Sequence, residues 1–500
     1  MGGSVMLTIS MVSIYLIGTI CIGHLAARKM EMSLVDLFVA NRSLGLLALV
    51  MSIFGSQITA FGMLSVPSNA YQMGYSTMGY MIGLAAFTSS AGFYLIGYRT
   101  WLLADRYGYV TPVDFLGDRW GDNLPRYIVA VLQILLEIPY ILICGIGAGV
   151  ILSTITAGAI PYWLGALLIL VITTYVAYAG GMRGTAWTNI YQGFIMLAVI
   201  VIMMVMLYRT LGGSAAIVSQ LDPSMISLGG KGPQSLGQWI PYSFLCTGLA
   251  NGVVMHMLIR NMSASSPKVI QLNTLIYPVL YGGFFFITVS LGVWGSVAIP
   301  GLSAMEAENI IPMLAERFAP TWMIGLLGAG ILSAIMSSWD GMLLASSSIF
   351  SDDLLKPILK SRGIQLSEEK ENKISRFFIL FLSVVAYLLV LLRPTTILAI
   401  ATFSFAGFAC LFPAYFGALY WKRCTKWGAI TSSVTSVVFV ALSAFNILPK
   451  WTSFNMHYSA PGFILAIITL VGVSLLTVPA SEENIEKFFS VFEEVYEDAN

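Results

Sequence analysis

The segment 325–350 is apolar except for one carboxylate and a cluster of hydroxyl groups near its middle. At about 1.5 Å per residue, a helix of this length crosses the ~30 Å hydrocarbon core of a bilayer, where a charge such as Asp340 costs roughly 2.5–3.5 kcal/mol. Residues three and four positions apart share one helical face, so Ala334, Ser337 and Ser338 present oxygen atoms beside that carboxylate. Oxygen ligands suit a small, hard cation such as sodium. The segment therefore predicts a cation site inside a membrane.

The composition is that of a polytopic membrane protein. The 500 residues are 57% hydrophobic and 10% charged, with a mean hydropathy of +0.84, which is too apolar for a soluble globular protein of this length. The net charge is +1 and no basic tract with interleaved aromatic residues occurs, so we expect no nucleic acid partner. We infer no obligate protein partner either. The five cysteines lack paired spacing, which argues against a disulfide framework or a thiolate metal site.

The element pattern predicts an all-α protein embedded in the lipid bilayer. Hydropathy and length predict about 13 transmembrane helices, beginning near residues 6, 44, 77, 127, 162, 187, 239, 271, 321, 375, 396, 427 and 460. Most of the 25 lysine and arginine residues fall in alternate loops, which predicts an N-terminus outside and a C-terminus in the cytoplasm. The first apolar run has no basic residues before it, so we interpret it as a retained span.

Two of the predicted spans contain glycine-rich interruptions, the second at 55–62 and the seventh at 247–252. A pair of interrupted spans in corresponding positions of two halves is typical of inverted-repeat transporters, although glycines also serve simply to pack helices closely. The pattern predicts a 5+5 inverted repeat. The corresponding units are a first span with its cytoplasmic loop at 1–43, a first repeat at 44–208, an extracellular loop at 209–238, a second repeat at 239–421, and two final spans with a short cytoplasmic tail at 422–500.

Four ordered segments resemble a known family. They are SIFGSQITAFGMLSVPSNAY in span two, YAGGMRGTAWTNIYQG leading into span six, AIMSSWDGMLLASSSIFSDDL in span nine and YWKRCTKWGAI after span eleven. Together they resemble the sodium:solute symporters, which share the leucine-transporter type of inverted-repeat fold. The resemblance implies sodium-coupled uptake of a small organic solute by alternating access in the cell membrane. It indicates a monocarboxylate, an amino acid or a similar zwitterion as the solute, with Na⁺ as the coupling ion.

The family's principal sodium site maps onto two of these segments. The resemblance implies that the ion is held by the carbonyls of Gly55, Ile58 and Ala334 and the hydroxyls of Ser337 and Ser338. Independently of the family, a broken helix frees backbone carbonyls that could face those hydroxyls. The alternative is that both serines bond to their own preceding turn or pack a helix crossing.

A second sodium site, present in some members, departs from the family pattern here. The position that usually carries an aspartate is Asn189, whereas Asp340 lies one turn after Ser337. We hypothesise that Asn189, Asp340 and Gly341 form a second cation site, or that Asp340 stabilises the first ion at longer range. The alternative is a structural acid that is hydrogen-bonded to its neighbours.

The solute is expected beside the broken helices. The predicted contacts are Ser56, Gln57, Thr59 and Gly62 from span two, Thr77 and Met81 from span three, Glu137 from span four and Asn251 from span seven. Gln57 has the alternative role of capping loose backbone at the break. No basic partner of Glu137 is evident in the sequence, so a negative site would favour an amine or a zwitterion, or a neutral solute beside a protonated Glu137. The neighbouring segment instead resembles carriers of monocarboxylates and short amino acids, and the two indications conflict.

His256 and Arg260 lie near the predicted cytoplasmic end of span seven, where we interpret them as a terminal anchor rather than a gate. A proton-coupled symporter using Glu137 and Asp340 is the alternative function. An ion channel would need a repeated filter, and a sensor would need more than the roughly twenty residues after the last span. Three scattered histidines and no polar cluster at an interface argue against an enzyme.

Overall fold

The computed structural model describes residues 2–31, 33–227, 236–392 and 397–497, and within these ranges every extended element of secondary structure is a helix. One isolated backbone bridge joins Leu44 to Ala264. The α-helices of the first half are α1 Gly2–Ala27, α2 Leu34–Val39, α3 Leu46–Gln57, α4 Val66–Met73, α5 Ala85–Gly92, α6 Arg99–Tyr107, α7 Asp114–Trp120, α8 Leu124–Ile155, α9 Tyr162–Thr210, α10 Gly213–Val218 and α11 Leu236–Pro241.

The second half continues with the same architecture. Its α-helices are α12 Met255–Met262, α13 Pro267–Ala298, α14 Ala304–Ala307, α15 Ile310–Phe318, α16 Thr321–Ser348, α17 Lys356–Ser361, α18 Glu368–Leu392, α19 Ile397–Tyr420, α20 Lys426–Ala444, α21 Ser459–Leu476 and α22 Glu482–Glu497. Short π-helical and 3₁₀ turns connect several of them, including Phe61–Ser65 before α4, Tyr242–Cys246 after α11 and Leu249–Gly252 before α12.

The membrane-crossing helices confirm the predicted class of fold but not the exact helix count. Among the described residues, 10 helices are long and apolar enough to cross a bilayer, or 12 when two bent pairs are each taken as one span. The predicted thirteenth span would require α9, which has 49 residues, to make two crossings. The backbone of Gly181 inside α9 is non-helical, with φ 50° and ψ −150°, and marks where such a division would fall. The predicted unit boundaries stay predictions, and residues 228–235 and 393–396 within those units lie outside the described ranges.

Both predicted helix breaks are confirmed. Leu46–Gln57 and Phe61–Met73 meet at 61°, and Gly237–Gly252 and Met255–Met262 meet at 45°. At the first break Ile58 leaves the helical region with φ −87° and ψ 87°. At the second, a Cβ on Gly248 would lie 1.9 Å from Thr88 Oγ1 and 2.4 Å from the Phe244 carbonyl oxygen, so only glycine fits there.

Helix α16, which carries the predicted cation ligands, lies in the centre of the bundle against α1, α3, α8 and α9. Small residues allow this close packing: a Cβ on Gly328 would lie 2.4 Å from Ile155 Cδ1, and one on Gly330 would lie 3.0 Å from the Val199 side chain. Close packing through small residues is a main means of helix association in lipid. Helix α16 is therefore tightly packed at the centre of the bundle, where it faces the first break.

Candidate sodium and solute site

The first helix break frees backbone carbonyls at the end of α3. The Thr59 N–H donates to the Gln57 carbonyl, 3.2 Å away, rather than to Gly55 one helical turn back. The Gly55 carbonyl instead accepts from the Ser337 hydroxyl at 2.8 Å, and the Ser56 carbonyl accepts from the Ser338 hydroxyl at 2.9 Å. The break is therefore hydrogen-bonded to α16 through two side-chain hydroxyls, and all of these residues are buried.

The same two hydroxyls also reach back along α16. Ser337 Oγ lies 3.1 Å and Ser338 Oγ 3.0 Å from the Ala334 carbonyl oxygen. Two carbonyls and two hydroxyls of the predicted sodium set thus converge, so the serines face both their own turn and the break. Ile58 is buried three residues after Gly55, at the point where α3 ends, and its place in the ion's coordination stays a prediction.

Arg260 enters this site, which contradicts its interpretation as a terminal anchor. Its side chain is fully buried, and its Nε donates to Ser56 Oγ at 2.8 Å. Its Nη2 donates to the Ser337 carbonyl at 3.3 Å and lies 3.6 Å from Asp340 Oδ1. Helix α12 packs against both α3 and α16, which carries the guanidinium away from lipid headgroups. The sequence did hold one sign of this contact: Asp340, predicted to lie inside the membrane, needed a compensating cation.

The three residues of the hypothesised second cation site surround the same guanidinium. Asn189 Nδ2 lies 3.4 Å from the Ser337 carbonyl oxygen, and with its amide in the alternative orientation Asn189 accepts from Arg260 Nη2 at 3.0 Å. A Cβ on Gly341 would lie 2.4 Å from Nη2. The structure brings Asn189, Asp340 and Gly341 together, but around a cation that belongs to the protein.

Glu137 has a basic partner, contrary to the expectation from the sequence. Its Oε1 pairs with His256 Nδ1, and both side chains are fully buried. The sequence-based interpretation of His256 as a terminal anchor is therefore wrong as well. Gln133, one turn before Glu137, donates to the Val253 carbonyl at 2.7 Å, which joins α8 to the second helix break.

Several buried polar atoms have no hydrogen-bond partner among the described residues, and two of them belong to this pair. They are Glu137 Oε2 and His256 Nε2 of the pair, Tyr140 OH next to it, and Gln57 Oε1 and Tyr277 OH elsewhere in the bundle. The Tyr140 ring lies 5.4 Å from the His256 ring and 5.0 Å from that of Phe405, between centroids. Burying a polar group without a partner is unfavourable, so a set of such atoms beside aromatic rings indicates the binding place of a polar ligand.

All but one of the remaining predicted solute contacts lie at one of the two breaks. Thr59 Oγ1 accepts from the Phe61 N–H at 3.1 Å and so caps the first break, while Gly62 packs against Phe285. At the second break, the Met81 carbonyl accepts from Thr247 at 2.5 Å, and Asn251 donates to Ser89 at 2.9 Å. The Thr77 hydroxyl instead donates to Asn69 Oδ1 on α4, at 2.9 Å. The contacts of Thr77 therefore join it to α4 and not to a break.

A second polar cluster lies on the predicted cytoplasmic side. Arg126 pairs with Asp114, with Asp352 at 3.1 Å and with Asp353 at 2.5 Å. Burial and the nearby Asp352 carboxylate raise the pKa of Asp114 from 3.8 to about 6. The cluster borders a surface pocket of about 700 Å³ and joins α7 and α8 to the segment that follows α16.

Apolar helices that pack two broken spans around buried carbonyl and hydroxyl groups are typical of one class of protein, the inverted-repeat secondary transporters. The comparisons with known proteins agree with this class. A family model described as the sodium:solute symporter family matches residues 37–436. The chain belongs to the sodium:solute symporter family. It is accordingly a multi-pass membrane transporter and not an enzyme.

Similar curated proteins cover almost the whole chain. The high-affinity proline transporter PutP of Bacillus subtilis (strain 168) is 25% identical over 476 residues, 93% of this chain and 98% of the relative. The osmoregulated proline transporter OpuE of the same strain is 26% identical over 490 residues, 96% of this chain and 97% of the relative. A sodium/proline symporter of Staphylococcus aureus (strain USA300) is 25% identical over 481 residues, 94% of this chain and 93% of the relative.

Solved structures share the fold. A Na⁺-coupled sialic acid symporter in a substrate-bound, outward-open state superposes with a TM-score of 0.79 at 17% identity, covering 95% of this chain and 98% of that chain. The nucleobase-cation-symport-1 family transporter Mhp1 has a TM-score of 0.57 at 14% identity, covering 91% and 98%. At these identities the likeness concerns the fold alone.

Proposed function

We propose that the protein imports a zwitterionic amino acid together with sodium across the cell membrane. The observation that carries the proposal is the meeting of the freed Gly55 carbonyl with the Ser337 hydroxyl, 2.8 Å apart and buried. Carbonyl and hydroxyl oxygens without excess charge are the ligands expected for a monovalent, hard cation.

The proposed ion-binding step exchanges hydrogen bonds for coordination. In the described arrangement the Ser337 and Ser338 hydroxyls donate to carbonyls at the end of α3. When sodium binds, these hydroxyls rotate so that their oxygen lone pairs, with the carbonyls of Gly55, Ile58 and Ala334, face the ion. The bound ion then links the broken span to α16. Its presence favours the conformation in which the neighbouring solute-binding site is fully formed. Such coupling is reciprocal, since each ligand raises the affinity of the other by the same factor.

The solute class follows from the unpartnered atoms beside the breaks. Glu137 Oε2 and Gln57 Oε1 are acceptors that suit an ammonium group, while His256 Nε2 and the Tyr140 hydroxyl can donate to a carboxylate. The rings of Tyr140 and Phe405 offer apolar contact to the rest of the solute. The names of the curated relatives, which are proline transporters, support an amino acid. A simple monocarboxylate has no ammonium group, so it would leave the acceptors Glu137 Oε2 and Gln57 Oε1 without a donor.

We expect uptake because sodium moves into the cell down its electrochemical gradient; the N-terminus outside and the C-terminus in the cytoplasm stay the predicted orientation. A membrane potential that is negative inside contributes about 2.3 kcal/mol per 100 mV for each net charge moved. A zwitterion adds no net charge, so sodium supplies the electrical driving force for uptake.

A thermal-shift panel of the purified protein tests this function. Neutral amino acids including L-proline, monocarboxylates, choline and sugars are each added with sodium or with potassium in its place. We expect stabilisation by a neutral amino acid only when sodium is present, because both ligands bind the folded state. Stabilisation by a monocarboxylate but by no amino acid would overturn the solute class. Uptake into proteoliposomes that persists when choline replaces sodium at fixed pH would instead favour proton coupling.

A further inference from the structure

We propose that the Arg260 guanidinium takes the place of a second sodium ion, so that each chain binds one sodium and not two. This inference rests on the proposed sodium coupling. Its starting point is that Asn189, Asp340 and Gly341, the residues hypothesised to hold a second cation, surround one terminal nitrogen of Arg260.

The space beside Asp340 is shaped for a guanidinium. Arg260 Nη2 would lie 2.4 Å from a Cβ at position 341, a separation that no side chain at that position could tolerate without a shift. Gly341 is therefore the residue that leaves room for the arginine on the tightly packed face of α16. A sodium ion placed there would overlap the guanidinium.

The negative charge of Asp340 is likewise compensated by a residue of the same chain. Arginine stays protonated in proteins, and Nη2 lies 3.6 Å from Asp340 Oδ1. That oxygen has no hydrogen-bond partner among the described residues, so Arg260 is its compensating group. A second sodium would meet a like charge and a carboxylate that is already paired.

The guanidinium also connects this place to the principal site. Nε donates to Ser56 Oγ at 2.8 Å, and Ser56 Oγ in turn donates to the Ser337 carbonyl at 2.8 Å. Arg260 is thus a positioning residue: it holds the residue after Gly55 against α16 while contacting none of the predicted ligand oxygens of the principal site in this arrangement.

Equilibrium binding of ²²Na⁺ to the purified full-length chain tests the inference, because it counts ions without requiring the solute. We expect one ion per chain and a Hill coefficient of one, with the same count in Asp340→Asn. In Arg260→Gln, where the carboxylate loses its cation and the space opens, we expect two ions per chain. The double variant Arg260→Gln/Asp340→Asn should return to one, and Arg260→Lys should stay at one.

Each alternative result has a distinct meaning. Two ions per wild-type chain, falling to one in Asp340→Asn, would overturn the inference and leave sodium coupling intact. One ion in a folded Arg260→Gln would also overturn it, since the guanidinium would then exclude nothing. Absence of ²²Na⁺ binding by the wild type would overturn the proposed function itself. If Arg260→Gln does not fold, Arg260→Met takes its place in the count: two ions per chain would support the inference, and one ion would overturn it.

Discussion

The Ser337 hydroxyl lies 2.8 Å from the carbonyl oxygen of Gly55, although the two residues are 282 positions apart in the chain. One belongs to the predicted second repeat and the other to the break in the first. A ligand at this contact therefore bridges two parts of the bundle that alternating access would move relative to each other. The contact is a physical basis for coupling ion occupancy to conformation.

Removing the two hydroxyls of α16 tests the ion site directly. For Ser337→Ala combined with Ser338→Ala, we expect the sodium concentration for half-maximal uptake to rise at least tenfold, because two of the five predicted oxygen ligands are lost. The measurement is the sodium dependence of uptake in proteoliposomes at saturating solute.

Ser333→Ala is the matched control for that variant. Ser333 is a buried serine on the same helix whose hydroxyl donates to the Ala329 carbonyl of its own preceding turn, at 2.7 Å, and interacts with Tyr15 rather than with the break. Its sodium dependence should match the wild type. Equal effects of the control and the double variant would mean that the serines of α16 act through helix packing alone.

Glu137→Gln tests recognition of the solute's cationic group. The substitution keeps the shape of the side chain but removes the charge beside His256, so we expect the half-saturating concentration of an amino acid to rise about tenfold or more. Sodium binding in the absence of solute should change little. Glu316→Gln, at an exposed position on α15, is the control and should behave as the wild type. Unchanged solute affinity in Glu137→Gln would refute a role for this carboxylate in recognition.

Gly341→Ala should impair transport by displacing Arg260 and not by distorting its own helix. The added Cβ would lie 2.4 Å from Nη2, so the guanidinium must move away from Asp340 and Ser56. We expect uptake to fall severalfold or more at normal expression. Gly472→Ala, which adds its Cβ in open space on α21, is the control and should retain full uptake. Wild-type uptake by Gly341→Ala would show that the close fit around the arginine is not needed.

Arg126 is expected to contribute strongly to stability. Arg126→Gln leaves Asp114, Asp352 and Asp353 without their shared cation, and removal of one partner from a buried ion pair costs about 3–5 kcal/mol. Thermal unfolding in detergent should show a lowered midpoint. Lys373→Gln removes an exposed pair with Glu369, so its midpoint should stay close to that of the wild type. Similar midpoints for the two variants would contradict the difference in burial.

The sequence was informative wherever a local pattern has one physical meaning. Hydropathy predicted the helical membrane fold. The glycine clusters at 55–62 and 247–252 predicted the two breaks because they occur as a matched pair in two halves, which is typical of broken spans, whereas a single cluster could equally serve helix packing. The placement of His256 and Arg260 failed for the opposite reason. Both residues lie near the predicted end of their span, which suggested contact with lipid headgroups. Whether a basic side chain contacts lipid or protein, however, depends on which helices pack beside it. The partners of His256 and Arg260 are Glu137 and Asp340, which are far away in the chain. The available clue was that the sequence offered no basic partner for these two acids.

The titration of Asp114 gives a prediction with a defined sign. Burial and Asp352 raise the pKa of Asp114 to about 6 in the folded protein, against an ordinary value of 3.8, so between these values the folded state binds more protons than the unfolded state. The contribution of Asp114 to stability is therefore fully present below pH 3.8 and is lost as the pH rises through about 6. The unfolding midpoint of the wild type minus that of Asp114→Asn should be larger at pH 5 than at pH 7.5. Asp122→Asn is the control: a hydrogen bond from Lys426 lowers the pKa of Asp122, which stays ionised across this range, so its difference should be flat. A flat difference for Asp114→Asn as well would mean that Arg126 keeps Asp114 ionised at both pH values.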